Sequence, residues 1–455
     1  MAKEKKAIKS KPQVLEEAAK AAPKEKVVAP PRTSSAPELL RGMRDILPAE
    51  AKYWRFLRKT AEDFAVAYGF DCIETPIMEP TNLFVRAVGK QTDIVEKEMY
   101  SFDDQGGERV TLRPEATASI VRAYLSHGMF NIPQPVKLWY EGPMFRYERP
   151  QAGRSREFHQ VGFEILGEGK PAVDAELIIV GNAFLRALGV AASVQVNSIG
   201  HAGCRDPFKA ALLQHYRARR SEICEDCKRR LTRNPLRVLD CKIPECQPVK
   251  NSSPQIVDHL CDDCRTHFMK VLEILDEADV PYVLTPHLVR GLDYYGRTVF
   301  EYVPAGGEEG AQSALGAGGR YDGLAEILGG RATSAAGLAF GMERIIARMR
   351  EANAPVPELP APSIFLAQLG EHARRKAFAL FEKLRAAGIR SAANFSKESL
   401  KQQMEIAGKL GVRYALILGQ KEVLEGTLII RDMDSGVQEI VGYEKAIEEL
   451  RRKLG

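Results

Sequence analysis

Apolar and polar positions follow two different rhythms along this chain. Tyr53, Phe56, Leu57, Ala61, Phe64 and Ala65 recur at helical spacing, which predicts a helix over residues 49–68 that stops at Gly69. The segment Tyr68-Gly-Phe-Asp-Cys-Ile-Glu-Thr-Pro76 then reads as a strand, with Pro76 suited to a sheet edge. Leu138, Tyr140, Met144 and Phe145 predict another strand, Pro150 to Gly153 a turn, and Phe158 to Leu166 a returning strand. Together these make a hairpin with a charged tip. Thr111-Leu-Arg-Pro-Glu-Ala-Thr117 precedes a helix-like run to Ser126 and supplies capping groups. Strand-like Val194 to Ser198 leads into a helix-rich stretch reaching Phe268, and Val299 to Val303 is strand-like again. Pro355, Pro357, Pro360 and Pro362 then mark a stiff linker over residues 351–363. Beyond it, strand-like 364–367, 389–392, 414–418, 428–431 and 437–441 alternate with helical 371–387 and 396–410, implying an α/β unit with a mostly parallel sheet.

The length of 455 residues allows two or three domains, and 45% hydrophobic composition is ordinary for a globular protein. No apolar run approaches the roughly eighteen residues of a membrane span, and no signal-peptide core follows the N-terminus, so a cytoplasmic protein without membrane partners is expected. Residues 1–36 hold nine Lys/Arg against four Glu, which accounts for the whole formal charge of +5. That tail reads as disordered: either a solubilising extension or an arm for RNA phosphates. The remainder is formally neutral, so RNA binding would need clustered basic residues. Such a cluster lies in the helix-rich stretch, at Lys209, Arg217, Arg219, Arg220, Lys228, Arg229, Arg230, Arg233 and Arg237.

Seven of the eight cysteines fall in the same stretch. Cys224-Glu-Asp-Cys227 and Cys261-Asp-Asp-Cys264 are two Cys-x-x-Cys pairs of the kind that grip a tetrahedral zinc ion. Cys241 and Cys246 lie between them and could replace one pair. The expectation is a structural zinc site away from the catalytic chemistry, with reduced, partly buried thiols as the alternative.

Arg146, Arg149, Arg154 and Arg156 surround the hairpin turn, where guanidinium forks suit phosphate oxygens and purine faces. Gln160 and Glu164 lie four apart on the returning strand and share a face. No Gly-x-x-x-x-Gly-Lys-Ser/Thr sequence occurs, so ATP would not be held by a P-loop. Gly337-Leu-Ala-Phe-Gly-Met-Glu-Arg344 instead reads as a strand turning into a helix with an arginine at its start.

These segments resemble the motifs of class II aminoacyl-tRNA synthetases in the form found in histidyl-tRNA synthetases. Phe145-Arg-Tyr-Glu-Arg-Pro150 with Phe158-His-Gln160 is similar to motif 2, the helix and strand around residues 49–78 to motif 1, and 337–344 to motif 3. Leu288-Val-Arg-Gly-Leu-Asp-Tyr-Tyr295 and Gly318-Gly-Arg-Tyr-Asp-Gly323 resemble the histidine-specific signatures. The resemblance runs from Leu39 to about Leu454. It implies an α+β catalytic domain over 37–350, an antiparallel sheet flanked by helices, with a helical insertion at about 201–268 that touches tRNA. An α/β anticodon-binding domain over 364–455 follows.

It further implies a homodimeric histidine–tRNA ligase whose substrates are L-histidine, ATP with Mg2+, and tRNA(His). On that resemblance Arg146 and Arg290 neutralise the α-phosphate, Arg344 the γ-phosphate, and Glu148 joins the ATP site. Glu115, Ala116 and Thr117 hold the amino group, Glu164 and Tyr295 read the imidazole nitrogens, and Gln160, Tyr294 and Tyr321 complete the pocket. The regulatory subunit of ATP phosphoribosyltransferase, built on the same catalytic fold without aminoacylation, is the alternative.

Overall fold

The computed structural model describes residues 38–149, 154–305 and 314–454. The basic tail and the expected turn at 150–153 lie outside the described residues.

An eight-stranded sheet forms the frame. Its strands run in the order Asp71–Cys72, Val136–Phe145, Glu157–Leu166, Ala335–Gly341, Gly316–Arg320, Gly296–Pro304, Ala192–Ser198 and Tyr282–Leu284. The six central strands pair antiparallel, as expected. The two short edge strands pair parallel, so the sheet is mixed.

Strand Val136–Phe145 alternates buried and half-buried positions, whereas the second half of Glu157–Leu166 is buried on both faces. The difference follows from position, because Glu157–Leu166 lies between two long neighbours and beneath helices. Val161, Phe163 and Ile165 point into one core with helices Ala51–Tyr68, Pro171–Ala187 and Met342–Glu351. Leu138, Tyr140, Met144 and Leu166 belong to a second core, shared with helix Thr117–Ser126 and the insertion. The site described below lies on this second side.

Helix Ala51–Tyr68 buries Trp54, Leu57, Ala61 and Ala65 and ends where Gly69 takes the left-handed conformation (φ 73°) that a side chain disfavours. The expected strand after it is only partly formed. Asp71–Cys72 joins the large sheet, while Met78–Pro80 pairs with Arg109–Leu112 and Ser101–Asp103 in a separate three-stranded sheet. Pro76 itself is in neither.

One buried ion pair holds the frame together. Arg320 Nη2 contacts Asp174 Oδ2 at 2.6 Å, His267 Nε2 lies 3.2 Å from the same oxygen, and Arg320 also donates to the carbonyls of Glu168 and Lys170. The arginine of the Gly318-Gly-Arg-Tyr321 signature therefore clamps helix Pro171–Ala187 to the sheet. Asp174→Ala would leave the buried guanidinium with the more exposed Asp322, 3.0 Å away, as its remaining carboxylate and is expected to cost about 3 kcal/mol, the low end for a broken buried pair. A urea midpoint lowered at unchanged m-value would report this, and a loss below about 1 kcal/mol would refute the clamp.

The C-terminal part builds a five-stranded sheet in the order Ser391–Ala393, Ile364–Gln368, Tyr414–Leu418, Thr427–Asp432 and Gln438–Gly442. Its first two pairings are parallel and its last two antiparallel, so it is less parallel than its strand–helix alternation suggests. It buries its own core, with Leu380 and Leu384 against Ile364, Leu366 and Leu416.

Candidate functional site

A cleft of about 1270 Å³ opens over the second core. Three separate segments bring arginines to it: Arg146 at the end of the hairpin strand, Arg290 from the signature loop, and Arg344 from the first turn of helix Met342–Glu351. Arg146 donates from Nε to the Pro114 carbonyl at 2.8 Å, and its guanidinium lies 5.3 Å from the Phe158 ring centroid. Arg344 donates to the Ala314 carbonyl at 2.7 Å. Arg290 is mostly buried, 3.8 Å from Glu301 and 5.6 Å from the Tyr295 ring centroid, and its Nε has no hydrogen-bond partner among the described residues. A buried cation this loosely paired favours an arriving anion, because its desolvation is only partly offset. Glu148 is ion-paired with Arg154 at 2.8 Å, and Arg156 stacks over Tyr147, so the hairpin base is braced internally.

Carboxylates and tyrosines line the same cleft. Register puts Gly142 opposite Gln160 and Leu138 opposite Glu164, which places Gln160 and Glu164 on one face. Glu164 is only 1% exposed; Thr117 donates to its Oε1 at 2.8 Å and Tyr321 to its Oε2 at 2.5 Å. Burial pushes its carboxyl up to about 8, although both hydroxyls pull it back. Neighbouring Gly337 is glycine for a steric reason: a Cβ there would meet Glu164 Oε2 at 1.6 Å. Glu115 accepts from the backbone N–H groups of Thr117 and Ala118 at 2.8 and 2.9 Å, so it caps helix Thr117–Ser126 as well as facing the cleft. Burial pushes its carboxyl above the ordinary range as well. Tyr294 sits against Tyr295 and Tyr321, with ring centroids 4.7 and 5.7 Å away.

The structure thus gathers Glu115, Thr117, Arg146, Glu148, Gln160, Arg290, Tyr294, Tyr295 and Arg344 around one cleft. Glu164 and Tyr321 lie immediately behind its floor, hydrogen-bonded to each other, and Ala116 is buried in the adjoining core. Buried Gln160 Oε1 and Tyr140 Oη have no partner among the described residues and point to a polar ligand.

Sequence reasoning passed over several residues. His159 faces away from the cleft and meets Glu343 at 2.9 Å, tying the hairpin to helix Met342–Glu351. Arg113 donates to the carbonyls of Thr75 and Pro143, and Asn197 to that of Leu288, fixing the loops that carry the site. Asp293 is bound by Asn234 of the insertion, and Glu301 opposes Arg290. Their partners are remote in sequence, so no local spacing announced them.

The cysteines correct the expected zinc ligand set. The two Cys-x-x-Cys pairs belong to different clusters: Cys224 and Cys227 meet Cys241 and Cys246, while Cys261 and Cys264 meet His201 and Cys204. Nor is the first cluster remote from the chemistry, because Asp240 and Lys242, which flank Cys241, line the cleft. Of the basic residues in the insertion, Arg230 and Arg237 also line it, whereas Lys209, Lys228 and Arg229 are ion-paired one helical turn away.

Comparison with known proteins agrees with this architecture. The sequence model described as Histidyl-tRNA synthetase matches residues 42–225 and 250–345, and that of an Anticodon binding domain matches 363–453. A histidine–tRNA ligase of Dehalococcoides mccartyi is 46% identical over 415 residues, 91% of this chain and 99% of that protein. Among solved structures, apo S. aureus histidyl-tRNA synthetase superposes with a TM-score of 0.75 at 32% identity, covering 91% of this chain and 99% of that one. An ATP phosphoribosyltransferase regulatory subunit/histidyl-tRNA synthetase from Bacillus halodurans C shares the fold at 21% identity, with a TM-score of 0.61 and 86% of this chain covered. With a family match across most of the catalytic part and relatives this similar over nine tenths of its length, the chain belongs to the histidyl-tRNA synthetase family.

Proposed function

We propose that this chain is a histidine–tRNA ligase, which activates L-histidine with ATP and transfers it to the 3′ end of tRNA(His). The observation that carries the reading is one cleft that brings two opposite chemistries together. Three arginines from distant segments line it, and two buried carboxylates ringed by tyrosines lie at and behind its wall. A phosphate-rich substrate fits the arginines and a cationic or hydrogen-donating amino acid the carboxylates and tyrosines.

In the first step an oxygen of the histidine carboxylate attacks the α-phosphorus. A carbonyl–O–P bond forms, and the bond to the β-phosphate oxygen breaks to release pyrophosphate. The carboxylate is already ionised, so no general base is needed and positioning with charge neutralisation suffices. Arg146 and Arg290 are assigned to the α-phosphate and Arg344 to the γ-phosphate. Glu115, Ala116 and Thr117 are assigned to the amino group, and Glu164, Tyr295, Gln160, Tyr294 and Tyr321 to the imidazole pocket. In the second step the terminal ribose hydroxyl of tRNA takes the acyl group and AMP leaves. Magnesium, when bound with ATP, supplies further neutralisation of the phosphates. Glu148 and Glu301 are two of the carboxylates lining the cleft and would hold it there, since Mg2+ usually takes one or two carboxylates beside phosphate and water.

On this reading 37–350 is the catalytic unit with its insertion at about 201–268, 351–363 the linker and 364–455 the anticodon-binding unit, working in the cytoplasm. A homodimer is also inferred. Met78 and Phe102 are exposed on the same outward face of the three-stranded sheet, beside the half-buried Val110 and Leu112, next to the motif 1 segment. Among the described residues no helix is long and apolar enough to cross a membrane.

Pyrophosphate exchange tested across the amino acids is expected to occur with histidine alone, and labelled histidine should then appear on tRNA(His). Absence of exchange with every amino acid would favour the regulatory-subunit alternative, and preference for proline or threonine a different synthetase.

A further inference from the structure

We infer that the insertion carries two separate structural zinc sites: a four-cysteine site at Cys224, Cys227, Cys241 and Cys246, and a three-cysteine, one-histidine site at His201, Cys204, Cys261 and Cys264. In each set the candidate ligand atoms lie within 4.8 Å of one another. Zinc bonds of about 2.3 Å to sulfur and 2.0–2.1 Å to nitrogen set tetrahedral edges of roughly 3.8 Å between sulfurs and roughly 3.6 Å between nitrogen and sulfur. Cys224 Sγ and Cys241 Sγ are 3.9 Å apart. His201 Nδ1 lies 3.1, 3.4 and 4.0 Å from Cys204, Cys264 and Cys261 Sγ. A disulfide would bring two sulfurs to about 2.05 Å, so the sulfur spacing fits a shared metal and not a bridge.

The local chain supports the same conclusion. Three of the four ligand pairs stand at the cap and third residue of a helix: Cys224 and Cys227 at the start of Glu225–Arg233, Cys261 and Cys264 at that of Asp262–Glu277, His201 and Cys204 at that of Ala202–Ala218. Spacing of three residues around a tight turn lets both side chains grip one ion, and the positive end of each helix favours thiolate. His201-Ala-Gly-Cys204 has this spacing and was legible as the partner of a Cys-x-x-Cys pair. Cys241 and Cys246 complete the fourth pair across the short turn Pro244–Cys246.

Backbone N–H groups also point at sulfur, from Cys261 to Cys204 Sγ at 3.3 Å and from Cys224 to Cys246 Sγ at 3.2 Å. Such donors stabilise metal-bound thiolates. Four soft or borderline ligands in a tetrahedral set select zinc over oxygen-preferring cations. The His201 site closes the base of the insertion, where the chain leaves strand Ala192–Ser198 and returns in helix Asp262–Glu277. Adjacent Arg205 donates to the Tyr295 carbonyl at 2.7 Å, so this clasp also braces the signature loop.

Metal content decides the matter independently of aminoacylation. Full-length protein purified without chelator or added zinc should contain about two zinc equivalents per chain, and mercurial titration of the native protein should release both. Cys227→Ser and Cys264→Ser should each lose one equivalent and the double variant both, while a Cys72→Ser control keeps two. Cobalt-substituted protein should lose a different thiolate charge-transfer spectrum in each single variant. Four results would overturn the assignment: less than about half an equivalent with freely titratable thiols, a wild-type content of one equivalent that either single variant abolishes, a wild-type content of one equivalent that only one of them abolishes, or disulfides in the native protein.

Discussion

Replacing Arg290 by lysine is expected to lower kcat/KM for histidine-dependent pyrophosphate exchange by about 10²–10³-fold, the scale for removing one preorganised donor at a developing charge. Arg290 is mostly buried, loosely paired with Glu301 at 3.8 Å, and has an Nε without a hydrogen-bond partner among the described residues. Its planar fork can neutralise an α-phosphate oxygen while keeping Glu301 and its place beside Tyr295. An ammonium is a point charge on a flexible stem and cannot do all three. Because lysine keeps the charge that opposes Glu301, stability should change by less than about 1 kcal/mol. Wild-type exchange in Arg290→Lys would remove the residue from the mechanism, and a collapse of the thermal transition would make its role structural.

The second large effect concerns Glu164 and is read as a pH profile. The ionised carboxylate accepts a hydrogen bond from the imidazole N–H more strongly than the neutral acid does, and burial pushes this group up to about 8. Each oxygen already accepts one hydroxyl hydrogen bond, from Thr117 and Tyr321, and retains capacity for another. Between the unfolded value near 4.5 and about 8 the folded protein holds the extra proton, so stability falls as pH rises through this window. Histidine use should move the opposite way. kcat/KM for histidine is expected to rise with pH up to about 8 and then level. Glu164→Gln should abolish that rise and lower kcat/KM for histidine by about 10–100-fold, while KM for ATP changes little, because the neutral amide accepts the ligand's N–H more weakly and turns an NH2 donor toward a hydroxyl that donated to the carboxylate. Equal losses for both substrates, or an unchanged pH profile in Glu164→Gln, would sink the role.

Much of the architecture was legible in local patterns. The helix ending at Gly69, the hairpin with Gln160 and Glu164 on one face, the strand-to-helix turn before Arg344 and the C-terminal α/β unit each rest on spacings of two to four residues. At that range backbone geometry dictates which side chains share a face. The arginines could be named as phosphate ligands because the guanidinium chemistry is independent of where the chain travels.

Tertiary structure alone decided what each group touches. The partners of Glu164 lie 47 and 157 residues away, and Arg320 meets Asp174 across 146. Sheet order brings such pairs together, and no local periodicity encodes it. Hence the signature arginine at 320 proved to be a clamp, and His159 met Glu343, 184 residues away. The cysteines make the same point. Their spacing announced metal-like pairs, but which pair meets which depended on how the insertion folds back, because closing a long loop costs only slightly more than closing a short one. Sequence by itself determined the types of ligand and the chemistry they favour; the fold divided them between two sites.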